Sequence, residues 1–75
     1  MIRDKIIEMV REELMVNDLD LNANLLDDYD IDSIGLIEFI MNLEEEFDIQ
    51  IEDEEIQELK STEDVIKLVE EKAGN

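Results

Sequence analysis

Ser33-Ile34-Gly35-Leu36-Ile37-Glu38-Phe39-Ile40-Met41-Asn42-Leu43-Glu44-Glu45-Glu46-Phe47 repeats its apolar residues with the period of a helix, but on two faces rather than one. Successive residues of an α-helix are turned by about 100° around the axis. Leu36, Phe39, Ile40, Leu43 and Phe47 then share an arc of roughly 100°, the width of a core-facing stripe. Ile34, Ile37 and Met41 gather on the opposite side, within roughly 60° of one another. Glu38, Glu44 and Glu45 border this second stripe. The pattern predicts a helix from about Ser33 to Glu46. A small domain has little means of burying both faces. Either a neighbouring loop covers the second stripe, or it is an exposed docking ridge of apolar anchors inside an acidic rim.

Three further helices flank this one. Ile2, Ile6, Val10 and Leu14 recur every four residues, with Ile7 beside them, and predict a first helix from about Ile2 to Met15. Asn17 to Asp32 breaks that period with residues that favour turns. Its Leu19, Leu21, Leu25, Leu26 and Ile31 are expected to tack a long loop onto the core. A short third helix is expected from about Glu54 to Leu59 with Asp53 as N-cap. Ile49, Ile51, Ile56 and Leu59 would close the core. A fourth helix spans about Thr62 to Lys72, opened by Ser61 and Asp64 at the spacing of a capping box. Val65, Ile66, Leu68 and Val69 form its stripe, and Gly74 and Asn75 follow as a fraying tail. The predicted fold is all-α. It is a small four-helix bundle of three main helices and one short helix, with a long first loop, in a single domain over 1–75.

The chain has 75 residues with 24 acids, 6 bases, a net charge of −18, and no Cys, His, Pro or Trp. Disulfides, thiolate metal sites and Ser–His or Cys–His nucleophiles are therefore ruled out. Arg3, Lys5, Arg11, Lys60, Lys67 and Lys72 all lie outside the stretch from Glu12 to Leu59, which carries acids alone. Nucleic acid and anionic membrane surfaces are disfavoured as partners, because both require basic protein surface. No stretch approaches the roughly 20 apolar residues of a membrane span. The start has no long apolar run of a signal peptide, so a cytoplasmic protein is expected. Acidic chains with few aromatics are often disordered. The 44% apolar content, placed with helical period, argues for a folded domain instead.

Asp28-Tyr29-Asp30-Ile31-Asp32 has the alternating acids that open an EF-hand calcium loop. That loop needs Gly at its sixth position and Glu at its twelfth, where this chain has Ser33 and Phe39. No metal-ligating residues are assigned, and divalent binding is expected to be weak and unspecific. The aliphatic hydroxyls are Ser33, Ser61 and Thr62. Ser61 is accounted for as a cap. Ser33 opens the two-faced helix directly after Asp32, and serves either as a cap or as a reactive hydroxyl.

Asp28-Tyr29-Asp30-Ile31-Asp32-Ser33-Ile34-Gly35-Leu36-Ile37-Glu38-Phe39-Ile40 resembles the phosphopantetheine attachment site of acyl carrier proteins. Met41 to Ile49, with its Leu-Glu-Glu-Glu-Phe, is similar to the rest of their second helix and the following turn. Asp53-Glu54-Glu55 and Ser61 to Val69 are similar to their third and fourth helices. The resemblance implies a carrier rather than an enzyme, with 4′-phosphopantetheine esterified to Ser33. The donor would be coenzyme A and the catalyst a magnesium-dependent phosphopantetheinyl transferase. Asp32 matches the family's Asp before the serine. Ile34, Ile37, Glu38 and Met41 match its docking positions, with Glu44 and Glu45 in the acidic rim. Tyr29, Asp30 and Gly35 depart from its usual Leu, Gly and polar residue.

A chain without Cys holds no thioester by itself, and a thiol-ended arm supplies that chemistry. Its phosphodiester would sit by a helix N-terminus, which favours anions, although Asp32 opposes this. The family implies an interior that shelters a short acyl chain, while Phe39 and Phe47 equally well fill that space. The acidic second helix suits basic patches on a transferase and on acyl-transferring and fatty-acid synthesis enzymes. The expected function is to hold acyl intermediates as thioesters in fatty-acid biosynthesis, as a monomer. Carriers of D-alanine, polyketide or peptide intermediates remain open. So does a different class, an acidic helical interaction or cation-binding protein without a prosthetic group.

Overall fold

A computed structural model describes residues 2–29 and 31–74 of the chain. Asp30, expected to add charge beside Ser33, and Asn75, the end of the expected tail, lie outside the described residues. The four helices are α1 (Ile2–Leu14), α2 (Ser33–Phe47), α3 (Asp53–Glu58) and α4 (Thr62–Lys72). Their ends follow from local chemistry. α4 opens with Asp64 N–H donating to Ser61 Oγ and Ser61 N–H donating to Asp64 Oδ2, both at 3.2 Å. The N-cap of α3 is Glu52, not the expected Asp53. Glu55 Oε1 reaches back to accept the Glu52 N–H at 2.9 Å, so the helix begins one residue earlier.

α1 and α2 finish in the same way. Met15 (φ 57°) and Asp48 (φ 53°) turn left-handed. Val16 N–H then donates to Arg11 O, and Ile49 N–H to Glu44 O, each at 3.1 Å. This is the hydrogen bond of a left-handed helix end, where glycine is the usual residue.

α1 and α2 run antiparallel. Lys5 faces Glu46 across one end, and Leu14 and Gly35 border the same groove at the other. Ile6 and Val10 of α1 and Leu36, Phe39, Ile40 and Leu43 of α2 are buried, as the wheel predicts. They meet Val65, Ile66 and Val69 of α4, with Ile51, Leu59 and Leu25 closing the core. Phe47, Ile49, Ile56 and Leu68 pack on its edge as half-buried partners. Arg3 ties α1 to Glu63 of α4 through two hydrogen bonds at 2.9 and 3.0 Å. Lys72 ties α4 to Glu55 of α3 at 2.9 Å.

The long loop is held by hydrogen bonds as much as by leucines. Leu25 N–H donates to Lys60 O at 2.7 Å, and Glu63 N–H to Leu21 O at 3.0 Å. Asn24 Oδ1 accepts from Leu26 and Asp27 N–H, and Asp28 Oδ2 accepts from Asn24 N–H. Tyr29 Oη accepts the Asp20 N–H at 2.9 Å, closing the loop on itself. Leu25 is buried and Leu19 and Ile31 pack on the core, but Leu26, expected among them, is exposed. The turn formed by Asn24 directs Leu25 inward, so its neighbour Leu26 faces solvent.

Candidate functional site

Ser33 is the first residue of α2 and is exposed. The cap of this helix is Asp32, whose backbone is extended (φ −97°, ψ 179°) and whose Oδ1 accepts the Gly35 N–H at 2.7 Å. Asp32 satisfies one of the backbone donors that a helix start leaves open. Of the two roles open to Ser33 in the sequence, the cap is therefore filled by its neighbour. The hydroxyl stands at the positive end of a 15-residue helix.

Gly35 makes this arrangement compact. A Cβ there would lie 3.0 Å from Ile31 Cγ1 and 3.2 Å from Asp32 Oδ1, so any side chain presses on the capping carboxylate. The glycine that departs from the expected pattern leaves room for the cap.

The second face of α2 is open. Ile34, Ile37 and Met41 are 68%, 45% and 57% exposed, so the loop does not cover them. Glu38, Met41, Glu44 and Glu45 border one shallow hollow. Glu38 and Glu45 are exposed, whereas Glu44 is half-buried and its Oε2 accepts the Ile51 N–H at 2.8 Å. Glu44 thus also braces the turn after α2, a role its place on the wheel does not suggest. Among the described residues no cluster of His, Cys, Asp or Glu is arranged to hold a metal ion. No described helix is long and apolar enough to cross a membrane.

The interior offers little room. The gap between α1, the loop and α2, bordered by Val10, Leu25, Leu36 and Phe39, is a cavity of about 10 Å³. That is at the lower limit for a single water. Phe39 borders this gap, which has no room for an acyl chain as it stands.

The residues at the start of α2 fit a covalently attached anion. They present an exposed hydroxyl, a helix N-terminus, and a cap that does not use the hydroxyl. A family model described as a phosphopantetheine attachment site matches residues 4–69. An acyl carrier protein of Solidesulfovibrio magneticus is 36% identical, the alignment covering 97% of this chain and 96% of that one. A solved structure from Mycobacterium tuberculosis, provisionally described as an acyl carrier protein, superposes with a TM-score of 0.84 at 31% identity, over 93% of this chain and 96% of that one. The acyl carrier protein of Thermotoga maritima gives a TM-score of 0.80 at 31% identity, over 96% of this chain and 91% of that one. The chain belongs to the phosphopantetheine-attachment family of acyl carrier proteins. Members of this family are carriers rather than enzymes, and 4′-phosphopantetheine is their covalently held group.

Proposed function

We propose that Ser33 carries the 4′-phosphopantetheine arm and that the chain, a single domain over 1–75, serves fatty-acid biosynthesis as a cytoplasmic monomer. The observation that carries this reading is the exposed Ser33 hydroxyl on a helix start whose cap is made by Asp32. When bound, the arm supplies the thiol that this chain lacks. Ser33 Oγ is the point of attachment: its proton would pass to a base of the transferase as the O–P bond forms, while the pyrophosphate bond of coenzyme A would break and release adenosine 3′,5′-bisphosphate. Asp32 holds the helix start in place by accepting the Gly35 N–H, and the rest of the first turn would favour the phosphate of the arm. Ile34, Ile37 and Met41, rimmed by Glu38, Glu44 and Glu45, are the docking ridge for the transferase and for synthesis enzymes with basic patches. Charge attraction favours fast, salt-sensitive encounters, which suits a shuttle that leaves each partner quickly. The net charge of −18 opposes self-association.

Co-expression with a broad-specificity phosphopantetheinyl transferase, followed by intact-mass measurement, tests the attachment. One phosphopantetheinyl increment is expected on the wild type and none on Ser33→Ala. An unmodified mass for both favours the acidic interaction protein. Glu38→Lys and Met41→Ala test the ridge: each is expected to slow loading while helicity is unchanged. Thioester-linked material isolated from the native host identifies the pathway, and a fatty-acyl cargo is expected.

A further inference from the structure

Met15 has no role in packing. It is 90% exposed, more than Ile34 at 68% and the other large apolar residues described. Its backbone is left-handed (φ 57°), where a side chain with a Cβ costs energy that glycine does not. The conformation belongs to the end of α1, but the methionine side chain contributes nothing to that end. Met15 instead borders a groove between the end of α1 and the start of α2. Leu14, Leu26, Tyr29 and Ile31 supply the rest of its apolar lining, and Glu13 and Asp32 are its carboxylates. Leu26, the other exposed apolar residue here, is 42% exposed. Gly35 completes the wall, so the groove reaches the cap that adjoins Ser33.

We propose that this groove is a second docking contact, used by the enzyme that modifies the Ser33 hydroxyl. The partner fitting it presents an apolar side chain flanked by Lys or Arg. Charge complementarity selects that chemistry. No base occurs in the sequence from Glu12 to Leu59, and both charged residues of the groove are acids. A second copy of this chain is a poor occupant, because each copy brings a charge of −18. The proposal rests on Ser33 being the attachment point. It adds a contact away from the second face of α2.

The test is steady-state loading of the purified full chain by a phosphopantetheinyl transferase, with coenzyme A saturating. Met15→Gly removes the side chain and suits the left-handed backbone, so its melting temperature is expected to rise. Its KM for loading is nevertheless expected to rise about five- to tenfold with kcat retained, as for loss of one apolar anchor. Leu26→Ser is expected to raise KM in the same direction. A KM within twofold of wild type for both variants overturns the groove and leaves the attachment reading intact. Failure of the wild type to accept the group at all overturns the attachment reading and the groove with it. Dissociation of a wild-type dimer on Met15→Gly, seen by sedimentation, overturns the proposal in favour of self-association.

Discussion

Asp32 Oδ1 accepts the Gly35 N–H at 2.7 Å, so the residue before Ser33, and not Ser33, closes the start of α2. The same pairing makes Asp32 a structural residue as well as the neighbour of the Ser33 hydroxyl. Removing its carboxylate is expected to lower stability by about 1 kcal/mol, the usual loss of a helix N-cap. Urea titration of Asp32→Ala measures this. Asp32→Asn retains a capping oxygen and is expected to recover most of the loss. Comparing the two variants in loading assays then separates the cap from the charge.

Thr62 is fully buried at the first position of α4, and its Oγ1 has no hydrogen-bond partner among the described residues. A buried unpaired hydroxyl is destabilising, and valine has nearly the same shape. Thr62→Val is expected to raise stability by about 1 kcal/mol. An unchanged or lower urea midpoint contradicts this account of the site.

Glu63 is held below the ordinary carboxylate range by the hydrogen bond and charge of Arg3, and the Arg3 guanidinium is raised by the same pair. A carboxyl depressed in the folded state contributes its stability above its unfolded pKa. That contribution is lost as pH falls through the lower folded value. The destabilisation by Glu63→Gln is therefore expected in full near pH 7, to shrink once pH falls below the ordinary value of about 4, and to vanish only below the lower folded value. Urea midpoints of both proteins at the two pH values provide the check. The pair is exposed, so added salt is expected to shrink the difference at neutral pH.

Self-repulsion acts on the chain as a whole. With −18 charges and every base outside Glu12 to Leu59, screening is expected to raise the melting temperature as sodium chloride is added. Magnesium is expected to act in the same direction. A melting temperature independent of salt contradicts this.

The helices were legible because they obey a period. Leu36, Phe39, Ile40 and Leu43 on one side of α2, with Ile34, Ile37 and Met41 on the other, are separated by the 3.6-residue repeat alone. The loop has no such repeat. Leu25 and Leu26 are chemically alike, and only the turn at Asn24 makes one buried and the other exposed. Tyr29 looks like a departure from a family pattern until its hydroxyl is seen to accept from Asp20 N–H. The cap of α2 was left open by the sequence. Asp32 and Ser33 are both good capping types, and the extended backbone of Asp32 assigns the cap to it. Gly35 has no side chain to return the bond, so the capping-box signal that marks Ser61 and Asp64 is missing at Asp32. Glu44 was legible as a rim acid but not as a brace, because its partner Ile51 lies beyond the helix.

The filled space beside Phe39 also constrains what this carrier conceals. A passenger entering there has to part the side chains of Val10, Leu25, Leu36 and Phe39, so concealment is coupled to partial loosening of the scaffold. Small or polar passengers ride in water and leave the scaffold shut, whereas long greasy ones would announce themselves by faster amide exchange along α1.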